Sequence, residues 1–228
     1  MRWLVPAAVL ISVAWFGGAA LGAGALQLAA GAEDAAVPGP LACGRQLPGG
    51  VDEEQVFRTT STRVVLALDE DWQADFQGDA SRAARTLLWE ASKLYRGFNI
   101  HLLPLRIEHW ISPDEMDSAE ELLRLARGSI PRGDADIVVV LTGQQLEHGD
   151  GYAEIGGRYA LVSRHPGHPE RDAMVLAHEI AHLFGAHHGC NLPGRSGVMA
   201  EQGFEEPDLV CPCTRQTLEM NAARFHRP

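Results

Sequence analysis

The sequence predicts an α+β fold built on a mixed sheet with helices packed against it, and three observations carry that expectation. Apolar runs rich in β-branched residues recur at residues 63–68, 99–107 and 136–142. Between them lie stretches whose apolar residues repeat at helical spacing, and strands alternating with helices are the pattern of a largely parallel sheet. The third is size: 228 residues, 46% hydrophobic and 21% charged, suffice for one enzyme-sized domain and exclude both a disordered chain and a polytopic membrane protein. Acidic residues outnumber basic ones by 30 to 19, for a net charge of -11, and Lys93 is the sole lysine, so nucleic acid is excluded as a partner.

Residues 1–32 carry no charge after Arg2, and the run from Trp3 to Phe16 is strongly apolar. A positive start, an apolar stretch and the small residues Ala30 and Ala32 before Glu33 predict a signal peptide, with an uncleaved N-terminal anchor formed by residues 3–32 as the alternative. The expected location is therefore secreted or extracytoplasmic, or else membrane-anchored. Residues 33–61 hold three prolines and the pair Gly49-Gly50 without apolar periodicity, which reads as a linker or short pro-segment. The four cysteines, Cys43, Cys190, Cys211 and Cys213, are even in number and point to disulfides in an exported chain, with three pairings open.

The folded domain is expected over residues 62–228. Residues 63–68 form the first strand. Ala84, Leu87, Leu88, Ala91, Leu94 and Tyr95 then mark a helix capped at Asp79 or Ser81 and ended by Gly97. Residues 99–107 follow as a strand in which Pro104 marks an edge or a bulge. Residues 114–127 read as an acidic surface helix, and the continuous apolar run 136–142 as the buried central strand. Residues 157–163 are expected as an exposed final strand before a long helix starting near Pro169.

That last helix carries the chemistry. His178 and His182 are four residues apart, on one face, so both imidazoles can reach one ion. Glu179 lies beside the first of them, where it reaches activated water without becoming a ligand, the position of a general base. Gly185 permits the helix to stop and the chain to turn back, which lets His188 supply a third nitrogen and leaves one position open. His187 is the alternative third ligand. Three neutral imidazoles with an open position predict one catalytic zinc.

The stretch 178–188, followed by Met199 in Ser-Gly-Val-Met-Ala, resembles the metzincin clan of zinc metalloendopeptidases. The resemblance implies a zincin fold with an active-site helix and a small C-terminal subdomain. That subdomain would hold a methionine turn beneath the histidines and a final helix through Leu218, Ala222 and Phe225. It implies peptide-bond hydrolysis of a polypeptide substrate lying beside an edge strand, here residues 157–163, with residues 197–204 lining the pocket after the scissile bond. The competing functions are a non-catalytic zinc-holding module on the same fold and a metal-sequestering protein.

Within the clan the chain looks most like the adamalysin (reprolysin) family, through residues 141–163 and through Cys211 and Cys213 before the final helix. Gly189 stands where adamalysins carry aspartate, and the loop to Met199 is short. Residues 147–152 resemble the matrixin loop that binds a second, structural ion, which implies a zinc or calcium site from His148, Asp150, His165 and His168. A polar, glycine-rich turn is the competing reading of that loop. Cys43 resembles a pro-segment thiol that caps zinc, with a disulfide as the rival role.

Overall fold

The computed structural model describes residues 60–225 apart from 115, 117, 148, 190, 193–194 and 201–209. Residues 1–59, and with them the expected signal or anchor, nearly all of the expected pro-segment and Cys43, lie outside the described residues. No described helix is long and apolar enough to cross a membrane.

A sheet of five strands forms the frame: β1 (Thr60–Leu68), β2 (Ile100–His109), β3 (Ile137–Thr142), β4 (Gly151–Ala153) and β5 (Tyr159–Ser163), in the order β2-β1-β3-β5-β4. The first four strands in that order run parallel, and β4 pairs antiparallel to β5. Every residue of β3 is buried, as its uninterrupted apolar run requires of a strand covered on both faces. β2 is an outer strand, where Pro104 removes no needed donor. The register jumps there from Val64↔Pro104 to Val65↔Arg106, so the proline marks both an edge and a bulge.

The helices are α1 (Glu70–Asp75), α2 (Ala80–Tyr95), α3 (Ala119–Ser129), α4 (Pro169–Leu183) and α5 (Pro212–Asn221), and α5 runs into a 3₁₀ turn at Ala222–Phe225. Successive residues of a strand face opposite ways, so Val64, Leu66 and Leu68 meet one helical layer and Val65 and Ala67 the other. On the first side Leu87, Leu88 and Tyr95 of α2 pack with Val175, Leu176 and Ile180 of α4. On the second, Leu122, Leu123 and Ala126 of α3 cover Val65, Ala67, Val138 and Val140. α3 begins later than residue 114 because Ser118 caps it, its hydroxyl accepting from Glu121 N, and Glu120 and Glu121 complement the helix dipole.

One expectation is corrected. Residues 157–163 are not an exposed final strand, since β5 lies inside the sheet with Ala160, Leu161 and Val162 fully buried. The exposed edge on that side is β4, three residues long and opened by a glycine, too short to show a period of two. The six-residue α1 and the small hairpin of β6 (Asn191–Leu192) and β7 (Arg195–Ser196) have no counterpart in the periodicity either.

Asp69 joins the layers at the carboxyl ends of β1 and β3. Fully buried, it accepts from Trp72 N at 2.8 Å as the cap of α1, from Gly143 N at 3.1 Å and from Ser112 Oγ at 3.3 Å. Burial raises its pKa, while hydrogen bonds from the Thr142 side chain and from Trp72 N and Gly143 N pull it down. Gly143 must be glycine here, because a Cβ would lie 2.5 Å from the Asp71 carbonyl carbon and 2.7 Å from Trp72 N. Replacing Asp69 by alanine strands two backbone donors, so Asp69→Ala should lower the unfolding free energy in urea by about 2–4 kcal/mol. A change below about 0.5 kcal/mol, the scatter of an inconsequential substitution, would show that water replaces the carboxylate.

Candidate metal centre and cleft

Pro169 at the first turn of α4, with Glu170 and Asp172 beside it, starts the helix, and every residue from Val175 to Leu183 is buried. The helix thus drives His178, Glu179 and His182 into the protein, each only 5–6% exposed. It ends on Gly185 at φ 92°, in the left-handed region that favours glycine. Gly185 N donates to His182 O at 2.8 Å and Ala186 N to Ala181 O at 3.0 Å, the paired bonds of a Schellman turn. The turn sends the chain back over the helix and returns His188 to His178 and His182.

The three Nε2 atoms converge, with His178 to His188 at 2.9 Å and His182 at 3.0 Å from both. Their other nitrogens are engaged where seen: His178 Nδ1 donates to Val198 O at 2.6 Å and His182 Nδ1 to Ala186 O at 2.7 Å. Those carbonyls can only accept, so both rings carry their hydrogen on Nδ1 and face each other with Nε2 lone pairs. Burial, aided by the neighbouring imidazoles, lowers the pKa of His178 to about 4 and of His182 to about 3. Two lone pairs 3.0 Å apart repel unless a cation lies between them. Three neutral imidazoles, spaced a little under the roughly 3.3 Å edge of a tetrahedron with bonds of about 2.0–2.1 Å, fit zinc. Among the described residues this is the one group of three or more ligating side chains that converges on a point. His187, the alternative ligand, is exposed and outside it.

Met199 is fully buried in the core, in a turn where Ala200 N donates to Gly197 O at 2.9 Å. That turn also presents Val198 O to His178. Glu179, one residue after His178, is pushed up to about 8 by burial alone. The histidines and Glu179 line an open cleft of about 1070 Å³, together with Gly151 and Ala153 of β4, Ile155, Met174 and Val175 of α4, and Ala200. Residues 201–204 lie outside the described residues.

Arg224, which periodicity alone does not single out, ties the end of α4 to the turn after β4. It donates to Leu183 O at 2.6 Å and to Gly156 O, while Gly156 N donates to His182 O at 2.8 Å.

The residues expected at a second ion are only partly together. Asp150 binds Arg171 and lies 2.9 Å from His165 Nε2, and His165 Nδ1 is 2.8 Å from Asp172. His168 sits apart, exposed and paired with Glu170, and His148 is outside the described residues. Both ring nitrogens of His165 are therefore committed to carboxylates. Cys211 is buried at the start of α5, and no cysteine among the described residues is free.

Residues 58–222 match the sequence profile of metallo-peptidase family M12. No curated protein is matched by the sequence. Among solved structures, an archaemetzincin from Methanopyrus kandleri is 24% identical with a TM-score of 0.52, over 73% of this chain and 98% of that one. Metalloproteinase-II from Bacteroides fragilis is 18% identical with a TM-score of 0.50, over 72% of this chain and 53% of the other. A chain in a chaperone–substrate complex is 14% identical with a TM-score of 0.56, over 73% of this chain and 34% of its own. The chain thus spans about a third of one of these structures, half of another and nearly all of the third, and the likeness is one of fold. With the profile covering the sheet, the three histidines and the final helix, the chain belongs to metallo-peptidase family M12.

Proposed function

We propose that the chain is a zinc-dependent endopeptidase in which His178, His182 and His188 hold the metal and Glu179 is the general base. The observation that carries this reading is the convergence of three imidazole nitrogens in an open cleft, with a buried carboxylate next to the first of them. Three protein ligands leave a coordination position for chemistry, and neutral imidazoles favour zinc over calcium or magnesium. Zinc held by His178, His182 and His188 would supply Lewis acidity, polarising a peptide carbonyl and lowering the pKa of water to about 7.

Glu179 takes the proton of the attacking water and returns it to the leaving amine. Burial raises its affinity for that proton, and a zinc cation on the neutral imidazoles would act in the opposite sense. A general base must be ionised before the attack, and the two opposed influences set how readily Glu179 takes and returns the proton. An extended polypeptide pairs with the free edge of β4, so backbone hydrogen bonds give affinity and the cleft walls give preference. Retention of Glu179 favours this over a non-catalytic zinc-holding module.

Within the family the chain is read as adamalysin-like, supported by the succession β4, β5, α4, Met199 and α5, with Gly189 as its departure. It is further read as exported by residues 1–32, with its four cysteines in two disulfides by any of the three pairings. A disulfide at Cys43 leaves no thiol to cap the zinc.

Purified protein should contain one equivalent of zinc by elemental analysis, and the His178→Ala, His182→Ala, His188→Ala triple variant none. A chelator should lower the melting temperature, because a ligand bound only to the folded state at about 1,000 times its Kd adds about 4 kcal/mol. Full zinc occupancy in the triple variant would sink the assignment. Glu179→Gln should keep its zinc and lose at least about a hundredfold in kcat on a peptide library, the scale of a lost general base; cleavage at the parent rate would remove Glu179 from the mechanism. Peptide mapping without reduction should find all four cysteines in two bridges, and a free Cys43 would instead support the capping thiol.

A further inference from the structure

Edge strand β4 comes down on the Glu179 side chain at Gly151. A Cβ built at Gly151 would lie 2.9 Å from Glu179 Cγ, 2.8 Å from Val175 Cγ1 and 2.8 Å from Leu161 O. Carbon atoms attract best at about 3.5–4.0 Å, so contacts this short are repulsive. Gly151 does not have a left-handed φ, and its backbone conformation would admit alanine. What the site requires of this residue is space.

We propose, building on the peptidase reading, that Gly151 is a positioning residue for Glu179: its bare Cα is the wall against which the side chain rests, aimed at the metal centre. Val175, one turn earlier on α4 and only 3% exposed, bounds the same space at Gly151. A β-branched side chain in a helix is nearly confined to one rotamer, so Val175 is a stiff floor. A side chain that rests on such a wall has less rotational entropy to lose in reaching its working position.

The strand itself is pinned on both sides of Gly151. On one side Asp150 is held by Arg171 Nε at 3.2 Å and by His165 Nε2 at 2.9 Å, and its carbonyl accepts from Ser163 N at 2.8 Å. On the other, Gly156 is bound to His182 O and to Arg224. Leu161 O belongs to the sheet and Val175 to the buried face of α4. Of the three atoms an added methyl would meet, only Glu179 Cγ sits on a side chain with free torsions, and Glu179 yields furthest.

The test is the zinc-loaded Gly151→Ala variant, compared with the parent by crystal structure and by steady-state kinetics. The expected result is a Glu179 carboxylate displaced by about 1 Å with all three histidines still on zinc. With it, kcat should fall about 10- to 100-fold and KM stay within about threefold, since a misplacement of that size costs about a hundredfold. A merely structural role in holding the edge strand would instead raise KM and spare kcat. Either that split or a Glu179 found in its parental position overturns the proposal. Should the single variant not fold, Gly151→Ala with Val175→Ala removes one clash and keeps the one with Glu179 Cγ, and the same displacement is expected. A parent that cleaves no peptide sinks the peptidase reading alone, because the crystal structures decide the position of Glu179 without reference to activity.

Discussion

Three imidazole nitrogens face one another at 2.9–3.0 Å, the spacing of ligands around a shared cation, and much of the chain is arranged to hold them so. α4 supplies two of them one turn apart, and the Schellman turn at Gly185 brings back the third. The carbonyls of Val198 and Ala186 settle which nitrogen carries hydrogen, and burial keeps both rings neutral. Each of these elements makes poor sense as packing alone. A core would not choose to bury two histidines lone pair to lone pair, and the arrangement is intelligible as a socket for a cation.

The sheet enters the site through its edge. The parallel strands give a rigid floor, fully buried at β3, and the short antiparallel β4 ends it with a row of backbone groups that lines the same cleft as the histidines. An open edge is ordinarily a liability that invites unwanted pairing. Here β4 is only three residues long and lies within the cleft wall, so the exposed groups are confined to the place where an extended chain would be bound.

How much of this was legible in the sequence differs by element, and the physical reasons differ too. The central strand and the helices α2 and α4 were readable, because burial on two faces or on one imposes a pattern that sequence carries directly. His178, His182, Gly185 and His188 were readable for a stronger reason: metal geometry allows few spacings, so the pattern is scarce by chance. The edge strand was misplaced to residues 157–163, because three residues opened by glycine have no alternation to detect, whereas Tyr159–Ser163 is a longer apolar run. Asp150 and His165 look like ion ligands by type, yet their partners Arg171 and Asp172 are brought to them by folding, not by proximity to a motif. Arg224 was invisible for the same reason, as its acceptors are backbone carbonyls that no residue name reveals.

The clasp made by Arg224 also bears on the order in which the site forms during synthesis. Its bond to Leu183 spans 41 residues of sequence. At about 5–20 residues per second, a growing chain carries α4 for roughly 2–8 s before this arginine has been made. During that interval the end of the helix and the turn after β4 are joined by the Gly156 N to His182 O bond but lack the arginine that clasps both. The clasp therefore closes only after the strands of the sheet and α4, all N-terminal to Arg224, have been made.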